Sequence, residues 1–435
     1  MTGQPVHPVI SPAPPTTNPK TARSLRALDI VNLLQADIGA GVGPFLAVYL
    51  MAARRWRPEM IGLTLSAQGL ASVLAQTPGG ALVDYLWRKR LLIAAGAIGV
   101  GIGSLATIHA HSRRAVIAAQ AFTGAAGVLL GPAIAAVTLG LVGRAAFSRR
   151  IGRNESFNHA GNVIAAAIAG LIGKIWGPSA IFEFAALASL ATAGAALAID
   201  ERQIDHDLAR EAPPDGETAK RFAGMRELPS DRRIPTFFGC AVLFHFANAA
   251  MLPLVGQRLA AESRANATLY MSACILVAQA VMAIVAPLAG RAARVGRKSV
   301  LMAGFAALPL RGILYTFSSA PWYLISVQAL DGIGAGVFGV VAVIIISDLA
   351  RGTGRFNLMQ GALATVIGVG ASASNFLTGV VVQHAGYNAG FIVLSAIAAS
   401  ALAALAFAMP ETLPADEAAS ALTEIADDSG YRHRQ

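Results

Sequence analysis

Long apolar stretches separated by short polar breaks run through most of the chain. Nearly uncharged stretches recur from Leu28 to Met409, and a membrane-spanning helix needs about 20 consecutive, mostly apolar residues. The pattern therefore predicts an all-α membrane protein with twelve transmembrane helices, near residues 26–52, 59–83, 91–110, 115–142, 158–176, 180–199, 234–257, 268–290, 299–318, 321–347, 357–383 and 388–409.

The polar remainder divides the chain into domains. Residues 1–22 are rich in Pro and Thr, which predicts a disordered N-terminal tail. The one long polar stretch, 200–233, has the charges and prolines of a flexible linker. It separates an N-terminal six-helix bundle, 23–199, from a C-terminal six-helix bundle, 234–410, which is followed by a second tail from residue 411 to residue 435.

Composition agrees with a lipid environment. Of the 435 residues, 55% are hydrophobic and 13% are charged, whereas soluble domains carry roughly 25% charged residues. The net charge of +10 fits basic loops that face anionic lipid, so nucleic-acid binding is not predicted. Cys240 and Cys274 lie in apolar segments without metal-site spacing, and we predict neither a metal nor a cofactor.

The distribution of basic residues predicts the orientation. With the N-terminus inside, the predicted cytoplasmic segments hold 25 of the 34 Lys and Arg residues, and cytoplasmic loops of membrane proteins accumulate these residues. Arg54, Arg55 and Arg57 on the predicted outer side are exceptions. We therefore expect a multi-pass protein of the plasma (inner) membrane with both termini in the cytoplasm.

The two halves repeat each other at a nearly constant spacing. Pro44 and Pro253 are 209 residues apart, and Gln120 and Gln328 are 208 apart. Pro78 and Pro287 repeat the spacing of 209, and the fourth and tenth predicted spans read QAFTGAAGVLLGP and QALDGIGAGVFGV. Internal repeats of this kind are typical of transporter folds.

Two loops carry a family resemblance. GALVDYLWRKR follows the second predicted span and AGRAARVGRK follows the eighth. They resemble the two copies of the loop signature G-x-L-x-D-R-x-G-R-[KR] of the major facilitator superfamily. The first copy departs at Tyr85 and Trp87, and the second has Ala293 at the acidic position. The matching residues are Gly80, Leu82, Asp84, Arg88, Lys89, Arg294, Gly296, Arg297 and Lys298.

The resemblance implies two pseudo-symmetric six-helix bundles that rock about a central site, in a monomeric transporter. It also implies that the loop residues join the halves on the cytoplasmic side, with Asp84 contacting the start of the eleventh helix. Alternatively, the basic residues Arg88, Lys89, Arg297 and Lys298 only set the topology. The family's cavity is lined by the first, fourth, seventh and tenth helices, which here gives the candidates Gln35, Asp37, Gln120, His245, Asn248, Gln328 and Asp331.

Ionisable side chains at membrane depth are costly and mark pathways or paired contacts. Asp37 and His245 are candidates for proton coupling, and each has the alternative of a purely structural role. Arg311 and Asp331 have matching predicted depths on adjacent helices, so we expect a charge pair. The pair is either structural or a coupling element or contact for a substrate anion, and Asp331 is a further proton-coupling candidate. Other polar candidates in the spans are Asn32, Gln68, Asn158, His159, Asn162, Gln279, Asn357, Gln360 and Asn375.

These features favour a secondary transporter of a small organic solute, with proton-coupled efflux of a drug or metabolite as the leading hypothesis. One departure is that the fifth span, GNVIAAAIAGLIGKIWGP, lacks the internal Gly-Pro of drug antiporters. Proton symport of an organic acid, a sugar-like solute or a chelated metal is the alternative. A receptor or scaffold is more remote because the loops are short, and no nucleophile motif indicates an enzyme.

Overall fold

A computed structural model describes residues 19–36, 42–209, 231–350 and 356–413, and every regular element in these ranges is helical. The helices of the N-terminal half are α1 (Pro19–Ala36), α2 (Val42–Ala52), α3 (Pro58–Tyr85), α4 (Lys89–His109), α5 (Arg113–Gly127), α6 (Leu130–Ile175), α7 (Ala180–Leu197) and α8 (His206–Ala209). Those of the C-terminal half are α9 (Arg233–Ala249), α10 (Met251–Glu262), α11 (Ala267–Ala292), α12 (Arg297–Leu314), α13 (Pro321–Val327), α14 (Ala329–Ala350) and α15 (Phe356–Ala408).

The helices follow the predicted spans with instructive differences. Within the described residues, seven helical stretches are long and apolar enough to cross a membrane, so the count of twelve stays a prediction. The first predicted span contains the C-terminal part of α1 and all of α2, and the tenth contains α13 and α14. Helices α6 and α15 each join two predicted spans.

Glycines with positive φ mark matching turns in the two halves. Gly177 (φ 92°) lies between α6 and α7, and Gly386 (φ 82°) reverses the chain inside α15. The two positions are 209 residues apart, the same spacing as the paired prolines. Residues with a Cβ rarely adopt this left-handed conformation, so the repeat extends to the backbone geometry of the turns.

The apolar core is shared between the halves on the predicted outer side and divided on the other side. One buried cluster combines Phe45 and Phe182 of the N-terminal half with Met251, Met271 and much of the C-terminal half. A second, separate cluster fills the predicted cytoplasmic part of the N-terminal half, between Leu28, Ile93, Ile134, Ala196 and Ile204. The halves are therefore packed together toward one membrane face.

The first part of the predicted linker is attached to the N-terminal half. Asp205 donates its backbone N–H to the Gly140 carbonyl at 3.0 Å, and Asp200 donates to Ser24 Oγ at 3.1 Å. Ile204 and Ala209 are buried in the N-terminal cluster. Residues 210–230 lie outside the described residues.

Candidate functional site

Arg311 is the centre of a polar network inside the C-terminal half. Its side chain is fully buried on α12, and its Nη1 donates to Asn248 Oδ1 and to Asp331 Oδ1, each at 2.6 Å. Its Nε donates to Tyr315 Oη at 3.0 Å, and that hydroxyl in turn donates to Gln328 Oε1. Helices α9, α12 and α14 thus meet at one guanidinium. Asp331 supplies the counter-charge that offsets part of the cost of burying it, while Arg311 Nη2 has no hydrogen-bond partner among the described residues.

The uncharged part of this network has an equivalent in the N-terminal half. Gln120 Nε2 donates to Thr107 Oγ1 at 2.7 Å, and both side chains are buried. Gln120 precedes Gln328 by 208 residues, and Thr107 precedes Tyr315 by the same number. Both halves therefore have a hydrogen bond between a glutamine amide and a hydroxyl on equivalent helices, with the amide donating in the N-terminal half and the hydroxyl donating in the C-terminal half.

The charged part of the network is confined to the C-terminal half. The positions 208 residues before Arg311 and Asp331 are Gly103 and Thr123. These two residues also pack together, because a Cβ on Gly103 would lie 3.1 Å from the Thr123 Cβ. The pair geometry is thus kept in both halves, but only one half uses it to hold opposite charges.

Asp331 opens onto a cavity between the halves. Its side chain is 17% exposed, whereas that of Arg311 is 1% exposed. The cavity measures about 250 Å³. Its wall combines Pro44, Asn162 and Ala166 of the N-terminal half with Leu252, Ile275, Ala278, Gln279, Met282, Asp331, Gly332 and Ala335 of the C-terminal half. The carboxylate is therefore held in place from behind and accessible from the front.

A second cavity, of about 420 Å³, lies between α3, α5, α6 and α15. Ser72, Gln76, Ser372 and Asn375 supply its polar side chains, and its described lining has no charged residue. It lies where α3 of the N-terminal half packs against α15 of the C-terminal half, whereas the Asp331 cavity lies beside the contact of α6 with α11. Within the described residues, no group of three or more His, Cys, Asp or Glu side chains is arranged to hold a metal ion.

The other candidates from the sequence are distributed differently. His245 packs against the rings of Phe244 and Phe338, at centroid distances of 5.4 and 4.6 Å, and its Nε2 has no hydrogen-bond partner among the described residues. Gln35 is half-buried on α1. Asp37 lies outside the described residues. The structure thus brings Asn248, Gln328, Arg311 and Asp331 into one network, and His245 lies in an aromatic setting.

The second loop signature forms a compact junction at the predicted cytoplasmic end. Arg297 Nε donates to Asp348 Oδ2 at 3.2 Å, and the backbone N–H groups of Arg297 and Lys298 donate to the Glu411 carboxylate at 3.1 and 3.0 Å. Burial acts to raise the pKa of Glu411, but four backbone N–H donors outweigh it and hold that pKa below its ordinary value of 4.5. Gly296 precedes this helix start, and Arg294 is exposed.

The first loop signature is arranged around buried Lys89, whose Nζ donates to the Val83 carbonyl. Arg88 is exposed and Gly80 is half-buried. Asp84 is expected to contact the start of the eleventh helix, near Arg355 to Gln360, but the Asp84 side chain and Arg355 lie outside the described residues. The neighbouring Arg90 pairs with Glu201 at 2.9 Å.

Asp29 is a buried charged residue that the sequence reasoning missed. Its carboxylate accepts from Arg150 Nη2 at 2.7 Å and from Arg153 Nη2 at 2.8 Å, which ties α1 to the middle of α6. Its position near the end of a predicted span gave no sign of membrane depth. The signal available was the ARSLRALD segment, in which Asp29 is the single acidic residue.

Hydrogen bonds between the halves lie toward the predicted outer side among the described residues. Ser272 Oγ donates to the Ala166 carbonyl at 2.6 Å, and Lys174 Nζ donates to Asn266 Oδ1 at 2.5 Å. On the other side of the bundle, Ser66 Oγ donates to the Ser372 carbonyl. The halves are thus joined on both flanks of the cavities at one membrane face.

Sequence comparison finds similar proteins along almost the whole chain. A family model described as the Major Facilitator Superfamily matches residues 29–293 and again residues 237–428. Two Mycobacterium tuberculosis proteins, each named an uncharacterized MFS-type transporter, are 44% identical over 398 residues, which is 91% of this chain and 95% of theirs.

Solved structures with the same fold include the nucleoside transporter NupG, with a TM-score of 0.71 and 16% identity, covering 88% of this chain and 98% of that chain. A POT family transporter in complex with 5-aminolevulinic acid has a TM-score of 0.71 and 14% identity, covering 88% and 95%. At these identities the similarity concerns the fold.

Proposed function

The chain belongs to the major facilitator superfamily of membrane transporters, and we propose that it exports a small organic solute, a drug or a metabolite, in exchange for protons by alternating access. The observation that carries this proposal is the Arg311–Asp331 pair. A carboxylate that lines a cavity between two rocking halves, with its charge balanced from behind, suits a group that exchanges protons with the cavity.

Asp331 is the coupling group that we propose. Its Oδ1 accepts from Arg311, and protonation of the carboxylate would weaken that contact because a neutral acid attracts a guanidinium less strongly. Arg311 would keep its bonds to Asn248 and Tyr315. A proton on Asp331 would thus loosen α14 from α12 and leave the buried guanidinium with neutral hydrogen-bond partners only.

His245 and Asp37 are the other proton-coupling candidates. His245 is confined between aromatic rings, which favours the structural alternative for this residue. Asp37 remains a proton-coupling candidate on the basis of its position in the sequence. Asp37→Asn is therefore the second variant to test, after Asp331→Asn.

Closure on the predicted outer side supports the alternating-access part. The halves are packed there through a common core and hydrogen bonds on both flanks, and the N-terminal half keeps a separate core at its other end. Two such bundles can exchange the closed end by a rigid-body motion. The Asp331 cavity then faces opposite sides of the membrane in turn.

The names of similar structures support a small organic solute. One is a nucleoside transporter, and another is a POT family transporter in complex with 5-aminolevulinic acid. We propose that this chain likewise acts on a small polar organic molecule as a monomer, with both termini in the cytoplasm.

Purified protein in liposomes with an imposed pH gradient tests the proposal. We expect a solute from a mixed panel, followed by mass spectrometry, to move against its own gradient and opposite to the proton flow. Asp331→Asn should abolish the pH-driven component, whereas Thr123→Ala, at the equivalent position of the other half, should retain it. Accumulation in the direction of proton flow would favour the symport alternative, and transport that ignores the pH gradient would refute proton coupling.

A further inference from the structure

We propose that the transported solute is a small amphiphilic amine that binds as a cation, with its ammonium group on Asp331 and its hydrocarbon body in the 250 Å³ cavity. This inference rests on the proposed transport function and adds the chemical class of the solute. It follows from the charge, the hydrogen-bonding groups and the apolar surface that the cavity presents.

The cavity presents a negative charge to a solute. Asp331 is the one charged side chain in the described lining of the cavity. Arg311 stands behind it with 1% of its side chain exposed, so its cation is not presented to a solute. An anion entering here would meet a carboxylate first, whereas a cation would meet an opposite charge in a site of low dielectric constant.

One oxygen of the Asp331 carboxylate is available to accept hydrogen bonds from a solute. Oδ1 accepts from Arg311, and Oδ2 has no hydrogen-bond partner among the described residues. Because Arg311 is itself fixed by Asn248 and Tyr315, the carboxylate is held in one orientation. A pre-positioned acceptor of this kind favours an amine that carries N–H donors over a quaternary ammonium group.

The rest of the cavity wall combines two amides with an apolar surface. Asn162 from the N-terminal half and Gln279 from α11 provide two amides, which can accept further N–H bonds from the same ammonium group. Leu252, Ile275 and Met282 provide an apolar surface for a hydrocarbon body. A sugar-like solute would need a polar partner for each hydroxyl, and two amides with one carboxylate are too few.

A matched set of ligands tests the charge preference without requiring transport. Binding of 2-phenylethylamine, 2-phenylethanol and 3-phenylpropanoate, and of n-octylamine, 1-octanol and octanoate, would be measured by calorimetry on the full-length protein in nanodiscs. In at least one series we expect the amine to bind about tenfold or more tightly than its neutral and anionic analogues, since a hydrogen bond to a charged group contributes roughly that factor. Equal binding of all three members in both series, or tighter binding of the anions, would overturn the inference.

Variants locate the site. Asp331→Asn should remove the preference for the amine, and Asp331→Glu, which keeps the charge, should retain it. Met282→Trp should weaken amine binding by filling the cavity while it leaves the ion pair intact, and Thr123→Ala is the matched control that should bind as wild type. An amine preference that survives both Asp331→Asn and Met282→Trp in folded protein would overturn the placement of the site.

The two proposals fail separately. Transport of a neutral or anionic solute by a protein without amine preference would overturn the cation inference and leave the transport function standing. Selective amine binding without pH-driven movement of any solute would support the cation site and overturn proton-coupled export.

Discussion

Removal of the charges of Arg311 and Asp331, singly and together, measures how far the two side chains depend on each other. In Asp331→Val the guanidinium loses its counter-ion at a position where 1% of the side chain is exposed, so we expect a loss of about 5 kcal/mol, the upper end for breaking a buried pair. In Arg311→Met the remaining carboxylate is 17% exposed and can be hydrated from the cavity, so the loss should be nearer to about 3 kcal/mol.

The double variant Arg311→Met, Asp331→Val should be less damaged than the sum of the two. Replacement of both charges by apolar side chains of similar size is close to neutral, and the remaining cost is that Asn248 and Tyr315 each lose one partner, about 1 to 3 kcal/mol together. The singles add to roughly 8 kcal/mol, so the cycle should show a coupling energy of about 5 to 7 kcal/mol.

The free energy of unfolding in detergent micelles, from denaturant titrations of all four proteins, gives this coupling energy directly. Thr123→Val, at the equivalent position in the half without charges, is the matched control, and we expect it to cost about 1 kcal/mol because it removes one local hydrogen bond to the Ala119 carbonyl. If the double variant loses as much free energy of unfolding as the two single variants combined, the argument that each charge offsets the burial cost of the other is refuted.

Three further predictions concern other parts of the molecule. Gly170→Val should reduce transport strongly, since even a Cβ there would stand 2.5 Å from a side chain of the other half, whereas Gly194→Ala, in open space, should transport normally in the same liposome assay. Glu411→Gln should flatten the dependence of melting temperature on pH below about 4.5, because a carboxylate with a lowered pKa stabilises the fold above that pH and loses the effect as pH falls through its folded value; an unchanged profile would contradict this. Arg150→Met should lower the melting temperature more than Arg153→Met, since the side chains are 8% and 57% exposed against the same carboxylate; the reverse order would contradict the difference in burial.

The sequence predicts the helical membrane fold and the meeting of Arg311 with Asp331, because both follow from regular geometry. A helix rises 1.5 Å per residue, so similar distances from opposite membrane faces place two side chains at one depth. The partner Asn248 could be expected in the same region from the repeat. These inferences need no knowledge of side-chain direction.

The hydrogen bond between Tyr315 and Gln328 could not be predicted in this way. A tyrosine or a glutamine in an apolar helix is ordinarily part of the packing, and depth alone does not show which side chains face each other. The link between them appears only when the halves are compared. Thr107 and Tyr315 each carry a hydroxyl, and they are 208 residues apart, which is also the spacing of Gln120 and Gln328. The hydrogen bonds then give that similarity its meaning.

Both members of the charged pair belong to the same half, and this has an electrical consequence. When the C-terminal half rocks, Arg311 and Asp331 travel together, so their movement transfers no net charge through the membrane field. A single elementary charge would contribute about 2.3 kcal/mol per 100 mV. The pair alone thus adds no voltage dependence to the rocking motion, whereas a proton or a cationic solute bound to the carboxylate adds one net charge that moves through the field.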